Sequence, residues 1–122
     1  MENLTASLED YLEIIFNYIN SNSSVRAIDI SKELKISRAS VTEALKKLAS
    51  KGYINYGRYD SISLTDKGVE TARNVVSKHN ILQTFFEKTL GLTAQEASEN
   101  ACKIEHVITE NAFRKISEYI NK

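Results

Sequence analysis

The chain has one cysteine, no proline and four glycines among 122 residues. A lone Cys102 excludes an intramolecular disulfide and fits a reducing compartment. Without proline, no helical pattern is kinked or stopped by a missing backbone donor. No apolar run approaches membrane-spanning length, and Met1-Glu2-Asn3-Leu4 lacks the basic and apolar regions of a signal peptide. Internal repeats and low-complexity tracts are missing too. The expectation is a cytoplasmic protein that touches no membrane.

Net charge is also missing, because sixteen bases balance sixteen acids. The balance is uneven along the chain. Met1–Ser23 sums to −4, Ser24–Lys78 to +5 and His79–Lys122 to −1. A basic middle between acidic flanks suits a phosphate-facing module joined to cation-binding elements. The size allows one compact unit or two small subdomains.

What is present is mostly helical periodicity. Leu8, Leu12, Ile15 and Ile19, with Tyr11 and Phe16, form a stripe predicting a helix from about Ser7 to Asn20. Ala27–Leu34 reads as a short helix. Ser37 is an N-cap candidate for a third helix ending near Lys51, with Gly52 placed to close it. Tyr53–Tyr56 and Ser61–Leu64 alternate like strands around a Gly57–Asp60 loop. A long helix is predicted from Thr65 to about Thr89, a break at Leu90-Gly91-Leu92, a helix capped by Thr93, and a last helix over about Ala112–Ile120.

Helix, short helix, turn, helix and a two-stranded wing is the order of a winged helix-turn-helix. The fold class is therefore mainly α. Residues 1–73 are expected to form a DNA-binding domain, and 74–122 an all-helical domain. In such a module the third helix enters the major groove. Ser37, Arg38, Ala39, Ser40, Thr42 and Glu43 would face bases, while Lys46, Lys47 and wing-tip Arg58 would meet phosphates. Glu43 also fits a solvent-facing position, paired with Lys47 one turn on.

A second group of residues suits metal chemistry. Cys102, Glu105 and His106 fall at i, i+3 and i+4 of one expected helix, and such steps stray only about 60° and 40° from a full turn. Asp10 and Glu13 repeat the i, i+3 spacing, and His79 lies within the long helix. Carboxylate, imidazole and thiolate donors converging from distant segments suit a divalent transition metal.

Several segments resemble the DtxR/MntR family of iron- and manganese-dependent repressors. They are Leu8-Glu9-Asp10-Tyr11-Leu12-Glu13, Val41-Thr42, Leu64-Thr65-Asp66-Lys67-Gly68, Lys78-His79 and Ala101-Cys102-Lys103-Ile104-Glu105-His106-Val107. The resemblance implies that Asp10, Glu13, His79, Cys102, Glu105 and His106 are metal ligands. It implies no enzyme but a homodimeric repressor of metal-uptake genes, activated by Mn²⁺ or Fe²⁺, with Zn²⁺, Co²⁺ or Ni²⁺ as in vitro substitutes. Its partner would be palindromic double-stranded DNA. Asp10 and Glu13 suit Mn²⁺, whereas Cys102 is softer and favours Fe²⁺, Co²⁺ or Zn²⁺. Iron-type relatives place a Glu and a His where this chain has Gln83 and Ser98. Many relatives continue into an SH3-like domain, and the likeness here is to the short form. Ile81, Leu82, Phe85, Phe86, Leu90 and Leu92 are candidates for the dimer interface, some of them for the core within the chain instead. Three rival readings are a winged-helix redox sensor using Cys102, a hydrolytic metalloenzyme using metal-bound water, and a metal-blind winged helix that mediates protein contacts.

Overall fold

The computed structural model describes residues 4–122, so the reading of Met1-Glu2-Asn3 lies outside the described residues. Six α-helices and one two-stranded sheet appear in the order α1 (Ala6–Asn20), α2 (Ala27–Leu34), α3 (Arg38–Ser50), β1 (Ile54–Tyr56), β2 (Ile62–Leu64), α4 (Asp66–Lys88), α5 (Ala94–Ile104) and α6 (Glu110–Ile120). They form a winged helix-turn-helix followed by a helical region. Two compact units divide at Arg73/Asn74, within α4. No helix among the described residues is long and apolar enough to cross a membrane.

In the first unit, α1 starts where the Thr5 hydroxyl accepts the Leu8 N–H at 3.2 Å. It buries Leu8, Tyr11, Leu12, Ile15 and Phe16, the stripe that its sequence periodicity marks. α1 packs on α3 and β2, and α2 packs on α3. Lys35 takes a left-handed conformation with φ of 58°, reversing the chain between α2 and α3. Ser37 then caps α3 by accepting the Ser40 N–H at 3.2 Å. Val41, Ala44, Leu45 and Leu48 anchor α3 in the core, leaving its opposite face to solvent.

The end of α3 is a Schellman closure. Gly52 N–H donates to Ala49 O at 3.1 Å and Tyr53 N–H to Leu48 O at 3.0 Å, with Gly52 at φ +84°. The hairpin pairs Ile54 with Leu64, Asn55 with Ser63 and Tyr56 with Ile62. Its turn does not use Gly57 for the left-handed region. Tyr59 and Asp60 adopt φ of 60° instead.

Thr65 and Gly68 lock the start of α4 against the end of α3. The Thr65 hydroxyl accepts the Gly68 N–H at 3.0 Å and donates toward the carbonyls of Gly52 and Tyr53, at 2.6 and 3.0 Å. A Cβ on Gly68 would stand 1.9 Å from the Tyr53 carbonyl oxygen, so this close approach needs glycine.

In the second unit, Val75, His79 and Leu82 follow one another at helical spacing on α4, and Val75 and Leu82 are buried. Ala97 and Ala101 form the buried edge of α5. Thr109 caps α6, accepting the Ala112 N–H at 3.2 Å, so this helix starts at Glu110, earlier than its apolar spacing predicts. Lys78 donates to Glu110 at 3.1 Å and lies over the Phe113 ring, tying the start of α6 to α4. Phe85 meets Phe86 and Tyr119 edge to face. Leu82 is fully buried within the chain, which removes it from the expected dimer contacts; Leu90 is 55% exposed.

Candidate nucleic-acid interface and metal centre

The solvent face of α3 carries most of the expected DNA-contacting residues. Ser37, Arg38, Ala39, Ser40, Glu43, Lys46 and Lys47 are exposed, as is Arg58 in the wing turn, while Thr42 is half-buried. The Ser37 hydroxyl also donates to Ser40 Oγ at 2.9 Å, so these two are partly engaged in the cap. Burial of Val41, Ala44 and Leu45 on the far side fixes which residues α3 presents.

Sequence periodicity missed three residues of the wing. Arg38 donates to Asp60 in a salt bridge between the first turn of α3 and the wing turn. The Tyr56 hydroxyl donates to the other Asp60 oxygen at 2.8 Å. Burial first, and then the bond to Asp60, push the Tyr56 phenol above its ordinary pKa. Tyr59 beside them is 90% exposed. A loop tip of polar residues gives no periodic signal, so only its turn composition was legible.

The second unit builds its site from α4 and α5. His79 lies one turn after Val75 and one before Leu82, so it shares their inward face. Glu105 continues the line of the buried Ala97 and Ala101 along the chain and is only 3% exposed. Their side chains meet: His79 Nδ1 lies 2.8 Å from Glu105 Oε1. When the carboxylate is ionised it can only accept, so a neutral imidazole here donates from Nδ1 and keeps its lone pair at Nε2. Ser98 Oγ lies 3.4 Å from Nε2, a long contact. An imidazole held by a buried carboxylate, with its second nitrogen left basic, is the arrangement that orients histidine ligands toward metals. The donor chemistry therefore fits a divalent transition ion.

The expected one-helix triplet needs correction. α5 ends at Ile104, and Glu105 is its C-cap, still right-handed at φ −55° and donating its N–H to Ala101 O at 2.9 Å. His106 sits half-buried in the turn beyond. Val107-Ile108-Thr109 supplies three successive β-branched residues of low helix propensity, and Thr109 starts the next helix. Cys102 is exposed, one turn before the buried Glu105. Within the second unit alone, no third described His, Cys, Asp or Glu closes on the His79–Glu105 pair to make a group of three. Asp10 and Glu13 are half-buried one turn apart on α1 in the first unit. Gln83 donates to Glu87 at 3.1 Å.

Residues 3–62 match the model of the iron-dependent repressor N-terminal DNA-binding domain, and residues 65–122 that of the iron-dependent repressor metal-binding and dimerisation domain. The chain belongs to the iron-dependent repressor family. This is a family of transcriptional regulators, not of enzymes, which removes the hydrolytic reading.

Other iron-dependent repressor relatives agree. An uncharacterized HTH-type transcriptional regulator from Methanocaldococcus jannaschii is 37% identical over 98% of this chain and 96% of its own length. The HTH-type transcriptional regulator MntR of Oceanobacillus iheyensis is 32% identical, covering 96% of this chain and 79% of the relative. A solved manganese-dependent transcriptional repressor in complex with manganese superposes with a TM-score of 0.86 at 26% identity over 93% of this chain. The chain spans about half (52%) of the length of that structure.

Proposed function

We propose that this protein is a cytoplasmic, homodimeric repressor of metal-uptake genes that binds a palindromic operator when loaded with Mn²⁺ or Fe²⁺. The half-buried His79 against the buried Glu105 carboxylate is the observation that supports it most, because burying an ionisable group costs stability and such groups cluster at functional sites. Residues 1–73 would read DNA and residues 74–122 would bind metal and dimerise. Asp10 and Glu13 on α1, with His79, Cys102, Glu105 and His106, would hold the ion. Its positive charge would offset the mutual repulsion of the carboxylates.

Ser37, Arg38, Ala39, Ser40, Thr42 and Glu43 would lie along base edges, with Lys46, Lys47 and Arg58 on phosphates. Dimerisation would set two such helices near one DNA turn apart, roughly 34 Å. The metal's contribution is a coupling free energy, typically about 1–3 kcal/mol. The test is fluorescence anisotropy on duplexes selected from a random pool, with MnCl₂, with anaerobic FeCl₂ and with chelator. Binding should rise roughly 5- to 150-fold with metal. Equal binding in all three conditions would refute metal activation.

A further inference from the structure

Asp60 has no place among the expected DNA contacts, yet the wing turn is shaped around it. Two consecutive non-glycine residues, Tyr59 and Asp60, sit at φ of 60°. Left-handed backbone of this kind is costly for side-chain-bearing residues and concentrates where function over-determines it. The result is a carboxylate turned back onto the first turn of α3. One oxygen accepts from Arg38 Nη2 and the other from the Tyr56 hydroxyl at 2.8 Å. Arg38, Asp60 and Tyr56 thus form a chain of bonds between helix and wing, entirely within the first unit.

We propose that Asp60 is a positioning residue for base recognition, holding the Arg38 guanidinium in a fixed orientation so that Arg38 reads a guanine edge. The inference rests on the DNA-binding reading above. Four features support it. The side chain of Arg38 remains 54% exposed while that of Asp60 is 22% exposed, so the fork is held from behind and presented outward. Arginine has five donor protons, and one bond to Asp60 leaves four for a bidentate contact to guanine O6 and N7. A free arginine loses much rotamer freedom when it docks, and that loss is smaller when the side chain is already ordered. Finally, pairing with Arg38 offsets the repulsion that a bare carboxylate would exert on nearby phosphates.

A phosphate-contacting Arg38 would behave differently, because phosphate contacts add affinity without sequence information. The experiment is selection from a randomised duplex pool in MnCl₂, followed by sequencing, for wild type, Arg38→Ala, Asp60→Asn and Tyr56→Phe. Asparagine tolerates left-handed backbone, so Asp60→Asn tests the charge without breaking the turn. Tyr56→Phe loosens Asp60 while leaving its carboxylate. Wild type should prefer guanine at one position per half-site by roughly 5- to 150-fold. Arg38→Ala should abolish that preference and leave the other positions unchanged. Asp60→Asn should lower it at the same position by at least about threefold, and Tyr56→Phe by less.

Unchanged guanine preference in both Asp60→Asn and Tyr56→Phe would overturn the proposal. So would an Arg38→Ala variant weakened equally on every sequence. If wild type selects no duplex with or without Mn²⁺, the DNA-binding reading itself fails; if wild type selects sequences normally, only the role of Asp60 is at stake.

Discussion

At the scale of single residues, the two functional clusters differ in how they use charge. His79 and Glu105 lie in line with buried apolar residues of their own segments, and their 2.8 Å contact brings a buried carboxylate against an imidazole. Glu105→Gln keeps an acceptor for His79 but removes the anion. It should therefore retain the fold while lowering Mn²⁺ affinity at least about 10- to 100-fold, as read by calorimetry. Normal Mn²⁺ affinity in this variant would place the ion elsewhere. Cys102 poses a different question, because its exposure leaves the thiol accessible to solvent as well as to a metal. Cys102→Ser should weaken Zn²⁺ and Co²⁺ more than Mn²⁺, since a hydroxyl is a harder donor than a thiolate. A variant that loses a peroxide response and keeps every metal response would instead favour the redox-sensor reading.

At the scale of elements, apolar periodicity was a reliable guide and helix ends were less so. The stripe from Leu8 to Phe16 and the Ser37, Gly52 and Thr93 punctuation all describe local chemistry, and each stands in the structure as its sequence implies. The end of α5 departs from expectation because metal-competent spacing at 102, 105 and 106 mimics helical continuity. Val107-Ile108-Thr109 carried the contrary signal. The Asp60 contacts were illegible for another reason: they join residues 22 positions apart through a turn with no periodic pattern. Two element-level predictions follow from packing. Gly68→Ala forces a Cβ toward the Tyr53 carbonyl and should destabilise the first unit by about 1–3 kcal/mol or more, lowering the melting temperature. Leu82→Ala should cost about 2–5 kcal/mol, because this side chain is fully enclosed. A Leu82→Ala protein melting like wild type would contradict its assignment to the core.

At the scale of the whole molecule, a neutral chain presents a basic segment of +5 between Ser24 and Lys78. Binding to DNA should therefore be strongly salt-dependent despite the zero net charge, each neutralised phosphate adding about 0.9 to the log–log slope. Lys46→Ala with Lys47→Ala should reduce that slope by roughly 2 without altering the selected sequence. Leu90, more than half exposed at the end of α4, belongs to a different kind of contact. Leu90→Asp should leave the monomer's melting temperature nearly unchanged and shift sedimentation equilibrium toward monomer. The wing turn also bears on how such a protein diverges. Position 38 is an open helical site that accepts many side chains, whereas position 60 must tolerate φ of 60° and offer acceptors to two donors. Few amino acids other than aspartate satisfy both demands, since asparagine tolerates the backbone but puts a donor where one acceptor oxygen stands. Drift in operator preference among descendants of this chain would then run through residue 38, against a wing that mutation seldom alters without penalty.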